Sequence, residues 1–566
     1  MRKKMMCVVI CLSVIALIVG CSGNQNNKST QTAQPSASST DQPTGTASPS
    51  ESIDENINMD SNLPIVKEPV TMSMVTVRNS NAGPADQMWF FKWMKEKGNI
   101  DFKVTQIEAA AWPERKNILF ASGDLPDIFF HSSFSASDII RYGQVGKQFI
   151  PLNDLIDKYA PNIKKAFEEN PRLKAAVTSP DGNIYSLPSY FKYPQLTWNR
   201  VFIHTDWLNK LGLKEPETLD DLYAVLKAFK EKDPNGNGKA DEIPLGGSWG
   251  HGFEERMIVT AALGFNQPGF MGMAVKDGKV VLPEADPLYG EYLKYMNKLY
   301  SEGLMDKDIF TQTEVQARAK SSQNIVGLTA DGAPEVIAPD HWKEYTALKP
   351  LTSKWNQTPL WPRGQETEIG KLMITPKAKH PEVAISFADR FFKDDFALEF
   401  YIGPEKGSED ELGYNGWFVN EQNNIDYDYP NGIKSAWDYR NLLSPFNSNQ
   451  LGVVYKVELF NEVHQANIQQ SETSRWWEGS MKEKVAPYVV PNYPDVYFSD
   501  DQIKRINELY TPLSDYAATM EAKFITGQVA LTEDNLNNYF TQMKKLGADE
   551  YVQIHQSGYD DYMKNL

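Results

Sequence analysis

The order of secondary-structure signals predicts an α/β fold, and two features carry that prediction. One is a strand–helix–strand–helix succession near the start of the folded body. The other is a capped amphipathic helix that leads toward a strand further downstream. Val70 to Val77 alternates apolar and polar residues, as a half-buried strand does. A helical stretch from about Ala85 to Lys97 follows, then a strand from Phe102 to Glu108 and a helix from Trp112 to Ser122 that runs on to Ile128-Phe129-Phe130. Such a succession needs helical crossovers, so the sheet is expected to be mainly parallel and covered by helices. No internal repeat and no heptad run interrupts the pattern.

In the downstream helix, Thr218 stands as N-cap with Asp221 three residues on, the spacing of a capping box. Leu219, Leu222, Val225, Leu226 and Phe229 then mark one apolar face. This helix is expected to end at Asp233-Pro234. Further helices are predicted near Tyr289 to Glu302, Pro381 to Lys393 and Ile503 to Thr526, with a strand from Gly370 to Ile374 stopped by Thr375-Pro376.

After the capped helix comes Asp233-Pro-Asn235-Gly-Asn237-Gly-Lys239-Ala-Asp241-Glu242, with oxygen-bearing side chains at alternate positions. That spacing wraps a loop around a hard cation such as Ca²⁺. Against the EF-hand template, Asp233, Asn235 and Asn237 fill positions 1, 3 and 5, Gly238 position 6 and Asp241 position 9. Lys239 falls where only a backbone carbonyl ligates. The twelfth position is Pro244, which cannot ligate, and Glu242 is near enough to replace it. The competing reading is a polar turn between helix and strand. The expected role of the ion is structural, because three carboxylates saturate it.

The N-terminus reads as a targeting segment. Arg2, Lys3 and Lys4 precede an apolar run from Met5 to Val19 that is short for a membrane span, and Ile18-Val19-Gly20-Cys21 looks like a bacterial lipobox. Residues 1–20 are thus expected to be removed and the Cys21 thiol acylated, which gives a firm lipid anchor. The other cysteines, Cys7 and Cys11, lie within the removed segment, so no disulfide is expected and a large core must stabilise the chain. Residues 21–64, rich in Ser, Thr, Asn, Gln, Pro and Ala, read as a disordered tether with too little apolar surface to offset chain entropy. Without Arg2, Lys3 and Lys4 the formal charge moves from −17 to −20. So acidic a chain argues against nucleic acid as a partner.

Ala121-Ser122-Gly123-Asp124-Leu125-Pro126-Asp127-Ile128 is similar to a segment in the N-terminal lobe of family 1 extracellular solute-binding proteins. So is the block from Asp206-Trp207-Leu208-Asn209-Lys210-Leu211-Gly212-Leu213 to the acidic loop and Pro244. The chain resembles most the large lipoproteins of that group, which include alginate-oligosaccharide binders with a Ca²⁺ loop. Carried over, the resemblance implies Asp233, Asn235, Asn237, the Lys239 carbonyl, Asp241 and Glu242 as ligands. It also implies a two-lobed periplasmic-binding-protein-like fold, with crossing hinge strands and a ligand cleft that closes by hinge motion. The crossings are expected near Ser189 to Thr197, near Glu368 to Thr375 and after about Trp417. The N-terminal lobe is then 65–192 with 370–425, and the C-terminal lobe 193–369 with 426–566.

Sugars are held by aromatic faces and by planar polar groups. Aromatic and polar residues outside helical core stripes and near strand ends single out Tyr190, Trp198, Arg200, Trp249, His251, Trp361, Arg363 and Trp417 as ligand candidates. For any one aromatic, ordinary packing is the competing reading. Trp207 reads as core, and of Trp476-Trp477 one is expected to pack and one to project. No catalytic constellation stands out. Gly246-Gly247-Ser248-Trp249-Gly250 satisfies G-x-S-x-G, but it follows the acidic loop with no room for a buried five-residue strand, and composition explains it. The expectation is a monomeric, non-enzymatic, lipid-anchored binding component of a carbohydrate ABC importer, facing outward from the cytoplasmic membrane. It would capture an oligosaccharide for a membrane permease. The alternatives are a lipoprotein glycoside hydrolase, for which no carboxylate pair is marked out, and a binder that feeds a sensor kinase.

Overall fold

The computed structural model describes residues 54–566 except 61, 79–81, 133, 193–199, 250–254, 365, 434 and 446–450. Cys21 therefore lies outside the described residues. Two sheets, each with its own core, form two α/β lobes.

In the first lobe a six-stranded sheet runs in the order Gly452–Val453, Leu187–Tyr190, Thr367–Ile374, Ile128–Phe130, Val70–Arg78, Ile100–Glu108. Val70–Arg78 pairs in parallel with Ile100–Glu108 and with Ile128–Phe130, as the helical crossovers require. The helix Trp89–Glu96 makes the first crossover and buries Trp89, Phe90, Trp93 and Met94. Trp89 and Trp93, four residues apart, stack at 4.8 Å on its inner face.

Thr367–Ile374 breaks the parallel rule, pairing antiparallel with both neighbours. It reaches the sheet from the other lobe, with no helical crossover to reverse its direction. A register shift between Glu368 and Leu372 accompanies Gly370, whose φ is +71°. A side chain on Gly370 would run into the Phe134 carbonyl oxygen, so only glycine fits this bulge.

The second lobe holds a four-stranded sheet in the order Tyr345–Ala347, Val201–His204, Val326–Ala330, Ile243–Leu245. Only Ile243–Leu245 and Val326–Ala330 run in parallel, so this sheet is mixed. The predicted capping box is present: Thr218 Oγ1 accepts from the Asp221 amide at 3.1 Å, and Asp221 Oδ2 accepts from the Thr218 amide at 3.0 Å. The helix Leu219–Glu231 buries the five predicted apolar residues.

Three expected boundaries are corrected. Ile57 is 3% exposed and, with Ile65 and Val66, packs in the first core, so the folded body begins before residue 65. The second crossing precedes Thr367, because that strand already belongs to the six-stranded sheet. The third comes after His464 rather than near 425: Tyr427, Tyr439, Leu443 and Phe460 bury into the first core, and Gly452–Val453 pairs with Leu187–Tyr190. No described helix is long and apolar enough to cross a membrane.

Candidate functional site

The chain passes between the lobes three times. These passages lie between Tyr190 and Val201, between Ala347 and Thr367, and between His464 and Glu472. Arg200 enters the second sheet here. Its guanidinium lies 4.2 Å from the Trp477 ring, and it donates to the Gly332 carbonyl. Trp477 belongs to the helix Glu472–Lys484, which packs beside Tyr345–Ala347. From the first lobe, Lys456 lies within electrostatic reach of Glu478 and Arg200 of the second lobe and of Glu458 on the helix that follows it. Burial pushes the Lys456 ammonium below its ordinary range and the Glu478 carboxyl above its own. Gln470 donates to Glu478 at 2.7 Å.

On the same helix, Trp476 presents an exposed plate, 45% accessible. Its indole N–H donates to the Tyr345 carbonyl at 3.0 Å, which fixes the ring's direction. Trp342 meets it edge-on at 6.3 Å. The pair therefore offers oriented aromatic surface, while Trp477 is half-buried with its N–H unpartnered. Trp342, Lys456 and Glu478 escaped sequence reasoning, because an aromatic in a polar loop and two charges on helices carry no local signature of a shared site.

The ligand candidates divide. Arg200 stands at the seam. Arg363 pairs with Glu366 at 2.5 Å and lines a cavity of about 330 Å³, together with Arg172, Tyr493, Asp495 and Tyr562. Tyr190 is half-buried and stacks at 5.9 Å on Phe392, against the first core. Trp249 is half-buried, with Phe310 at 4.4 Å and the Arg256 guanidinium at 5.0 Å from its ring. Trp361 and Trp417 are corrected. Trp361 is 3% exposed in the second core, and Trp417 is 6% exposed against Phe460 and His464. Apolar neighbours on both elements draw these rings inward. Trp198 and His251 lie outside the described residues. The Ser248 hydroxyl donates to the Gln312 carbonyl at 2.9 Å, so it serves the loop's structure.

In the acidic loop, Asp233 Oδ1 accepts from the Gly236 and Asn237 amides at 3.0 and 3.1 Å, and its Oδ2 accepts from Gly238 at 3.0 Å. Gly236 and Gly238 turn the chain with φ of +75° and +74°. The Asn237 and Asn235 amides donate to Asp241 and hold its carboxyl below its usual range. Glu242 is pushed up by burial and by the nearby carboxylates of Asp233 and Asp241. Its Oε1 is buried with no donor. Crowded carboxylates with an orphaned oxygen fit a hard cation. Among the described residues, however, no group of three or more His, Cys, Asp or Glu side chains stands in metal-holding geometry. The loop instead closes on its own amides.

Two cored lobes and a polar, aromatic seam between them define a two-lobed binding protein. The chain belongs to the bacterial extracellular solute-binding protein family, whose model matches residues 79–398. It is 28% identical over 516 residues to the fructooligosaccharide ABC transporter substrate-binding protein FusA of Streptococcus pneumoniae serotype 4, covering 88% of this chain and 92% of that protein. The polygalacturonan/rhamnogalacturonan-binding protein YtcQ of Bacillus subtilis is 28% identical over 264 residues, 46% of this chain and 49% of that protein. The structure of S. pneumoniae FusA with kestose superposes with a TM-score of 0.65 at 25% identity, covering 88% of this chain and all of that one (100%). A human-milk-oligosaccharide (HMO) binding protein from Bifidobacterium longum infantis shares the fold, with a TM-score of 0.69 at 21% identity over 88% of this chain and 99% of that one.

Proposed function

We propose that this chain captures an oligosaccharide at the seam between its lobes and delivers it to a membrane ABC permease. The observation that carries this reading is the exposed, oriented Trp476 plate with Trp342 beside it, on the helix whose next residues, Trp477 and Glu478, meet Arg200 and Gln470. Sugar C–H faces stack on such rings, while charged and amide groups bind hydroxyls. The relative FusA, named for fructooligosaccharides and matched along nearly its whole length, supports it. Closure of the lobes would desolvate the stacked rings. Acylated Cys21 would hold the protein at the outer face of the cytoplasmic membrane. Titration of intrinsic tryptophan fluorescence with a panel of oligosaccharides tests the reading. Saturable binding is expected, and the sugar should stay full length on long incubation. A signal that answers to peptides and to no saccharide would sink it.

The acidic loop would hold one structural Ca²⁺ through Asp233, Asn235, Asn237, the Lys239 carbonyl, Asp241 and Glu242. The ion would draw the carboxylates together and satisfy the buried Glu242 oxygen. The relative FusA has been solved as an EF-hand mutant still in complex with fructo-nystose, which supports a structural role for the loop. Chelation should lower Tm by on the order of 5 °C, since an ion at a hundredfold excess over its Kd contributes about 3 kcal/mol. Ligand affinity of the still-folded protein should change by no more than about threefold, or about 0.6 kcal/mol. Calorimetry with and without EDTA checks both parts, and binding lost without unfolding would place the ion in the ligand site.

A further inference from the structure

Residues 491–498 form a strap that belongs to the second lobe and sends one side chain into the first. Just before it, Val489–Val490 pairs with Trp361–Pro362, and at its start the Asn266 amide donates to the Pro491 carbonyl at 2.6 Å. Tyr493 donates to the His555 carbonyl at 2.9 Å, and Phe498 meets the His555 ring edge-on at 5.1 Å. Both contacts fall on the C-terminal helix Ala548–Lys564, whose Ala548 and Tyr551 lie in the second core. A side chain on Gly558 of that helix would stand 2.8 Å from Phe498 and 2.9 Å from Val496, so strap and helix are closely fitted. Beyond Ser499 the helix Asp500–Ile525 returns to the second core through Leu509 and Leu513.

Tyr497 points the other way. It is 9% exposed and packs in an aromatic cluster of the first lobe that includes Phe129, Phe149, Tyr185 and Met373. No other strap residue enters a first-lobe cluster. Nearby, Arg141 and Asp500 approach at 4.0 Å, but both are exposed and water screens them. With its backbone on one lobe and its ring in the other, Tyr497 links the lobes where no crossing strand does. We infer that Tyr497 is a releasable pin: seated, it holds the lobes in one arrangement, and hinge motion draws it from its seat.

The seat is suited to letting go. The Tyr497 phenol lies near the Ser179 and Ser186 hydroxyls, yet all three oxygens are buried without a well-formed hydrogen bond. Ring packing therefore favours the seat, and the stranded hydroxyls oppose it. A wholly apolar contact would lock the hinge, whereas this balance is one that lobe motion tips. The share of molecules ready to close on a ligand then depends on the pin.

The test reads the distance between spin labels on the full chain with Cys7, Cys11 and Cys21, its three cysteines, changed to serine. The labels sit on Lys165→Cys in the first lobe and Lys227→Cys in the second, both exposed positions. In Tyr497→Ala, the population outside the parent's main distance should rise at least about tenfold, because a buried ring is lost. In Tyr497→Phe, which keeps the ring and removes the stranded oxygen, the main distance should keep at least the parent's share. Tyr497→Leu, a milder loss of volume, should shift the population in the same direction as alanine, and it decides the matter if the alanine protein does not fold. Distance distributions that match the parent's in the folded alanine or leucine protein overturn the inference. So does a failure of both to fold, which would make Tyr497 an ordinary core residue.

Discussion

Replacing Trp476 with alanine should weaken oligosaccharide binding by about 30-fold, or roughly 2 kcal/mol, as truncation of a central aromatic anchor does. The ring is exposed, and its N–H is tied to the Tyr345 carbonyl, so it meets a ligand without first losing rotational freedom. Alanine is a better helix former than tryptophan, and the site lies within the helix Glu472–Lys484, so the fold should survive. Trp361→Phe is the contrasting variant. That ring is buried in the second core, so its loss should lower Tm and leave affinity unchanged. Fluorescence or calorimetric titration of both proteins decides the matter. If W476A binds as tightly as the parent while W361F does not, the seam has been assigned to the wrong aromatic.

Glu521→Ala should destabilise the second lobe by roughly 3 kcal/mol, because it removes the buried carboxylate that pairs with the Arg256 guanidinium and accepts from Tyr292. Arg256 and Glu521 face each other at 3.5 Å, only 4% and 1% exposed. Tyr292 donates to Glu521 at 2.7 Å, and Glu284 lies in the same core. Two buried carboxyls thus share one guanidinium, and burial pushes Glu284 up to about 7. Its Oε1 accepts from Gln267 and from the Met271 amide, while its Oε2 has no partner. Folded Glu284 holds its proton more tightly than the unfolded chain does. Its contribution to stability is therefore complete below the ordinary carboxylate value and is lost as pH rises through about 7. Urea midpoints should fall between about pH 5 and pH 8, and Glu284→Gln should flatten that slope. An unchanged slope in E284Q would assign the pH dependence to another group.

Those outcomes depend on residues that sequence patterns expose unequally. The helix Leu219–Glu231 was legible in full, because its cap and its apolar face are local properties of consecutive residues. Val70–Arg78 and the helix Trp112–Ser122 were legible for the same reason. Of Trp476-Trp477, the expectation that one projects holds, and Trp476 is the one. Trp361 and Trp417 misled because proline- and glycine-rich surroundings suggest surface loops. Their burial comes from Phe460, His464 and a second core assembled far along the chain. The late third crossing was hidden likewise, since Gly452–Val453 is too short to announce itself as a strand.

By itself, the sequence determined the α/β class, the two-lobed family pattern, the acidic charge and the cation-type loop at Asp233. Each is written in neighbouring residues or in total composition. Only the tertiary structure decided where the lobes exchange chain, which aromatics face solvent, and that Arg200, Lys456, Trp477 and Glu478 share one seam. Those residues are separated by up to hundreds of positions. Their meeting is set by how two independently packed cores are joined, and no local periodicity encodes that.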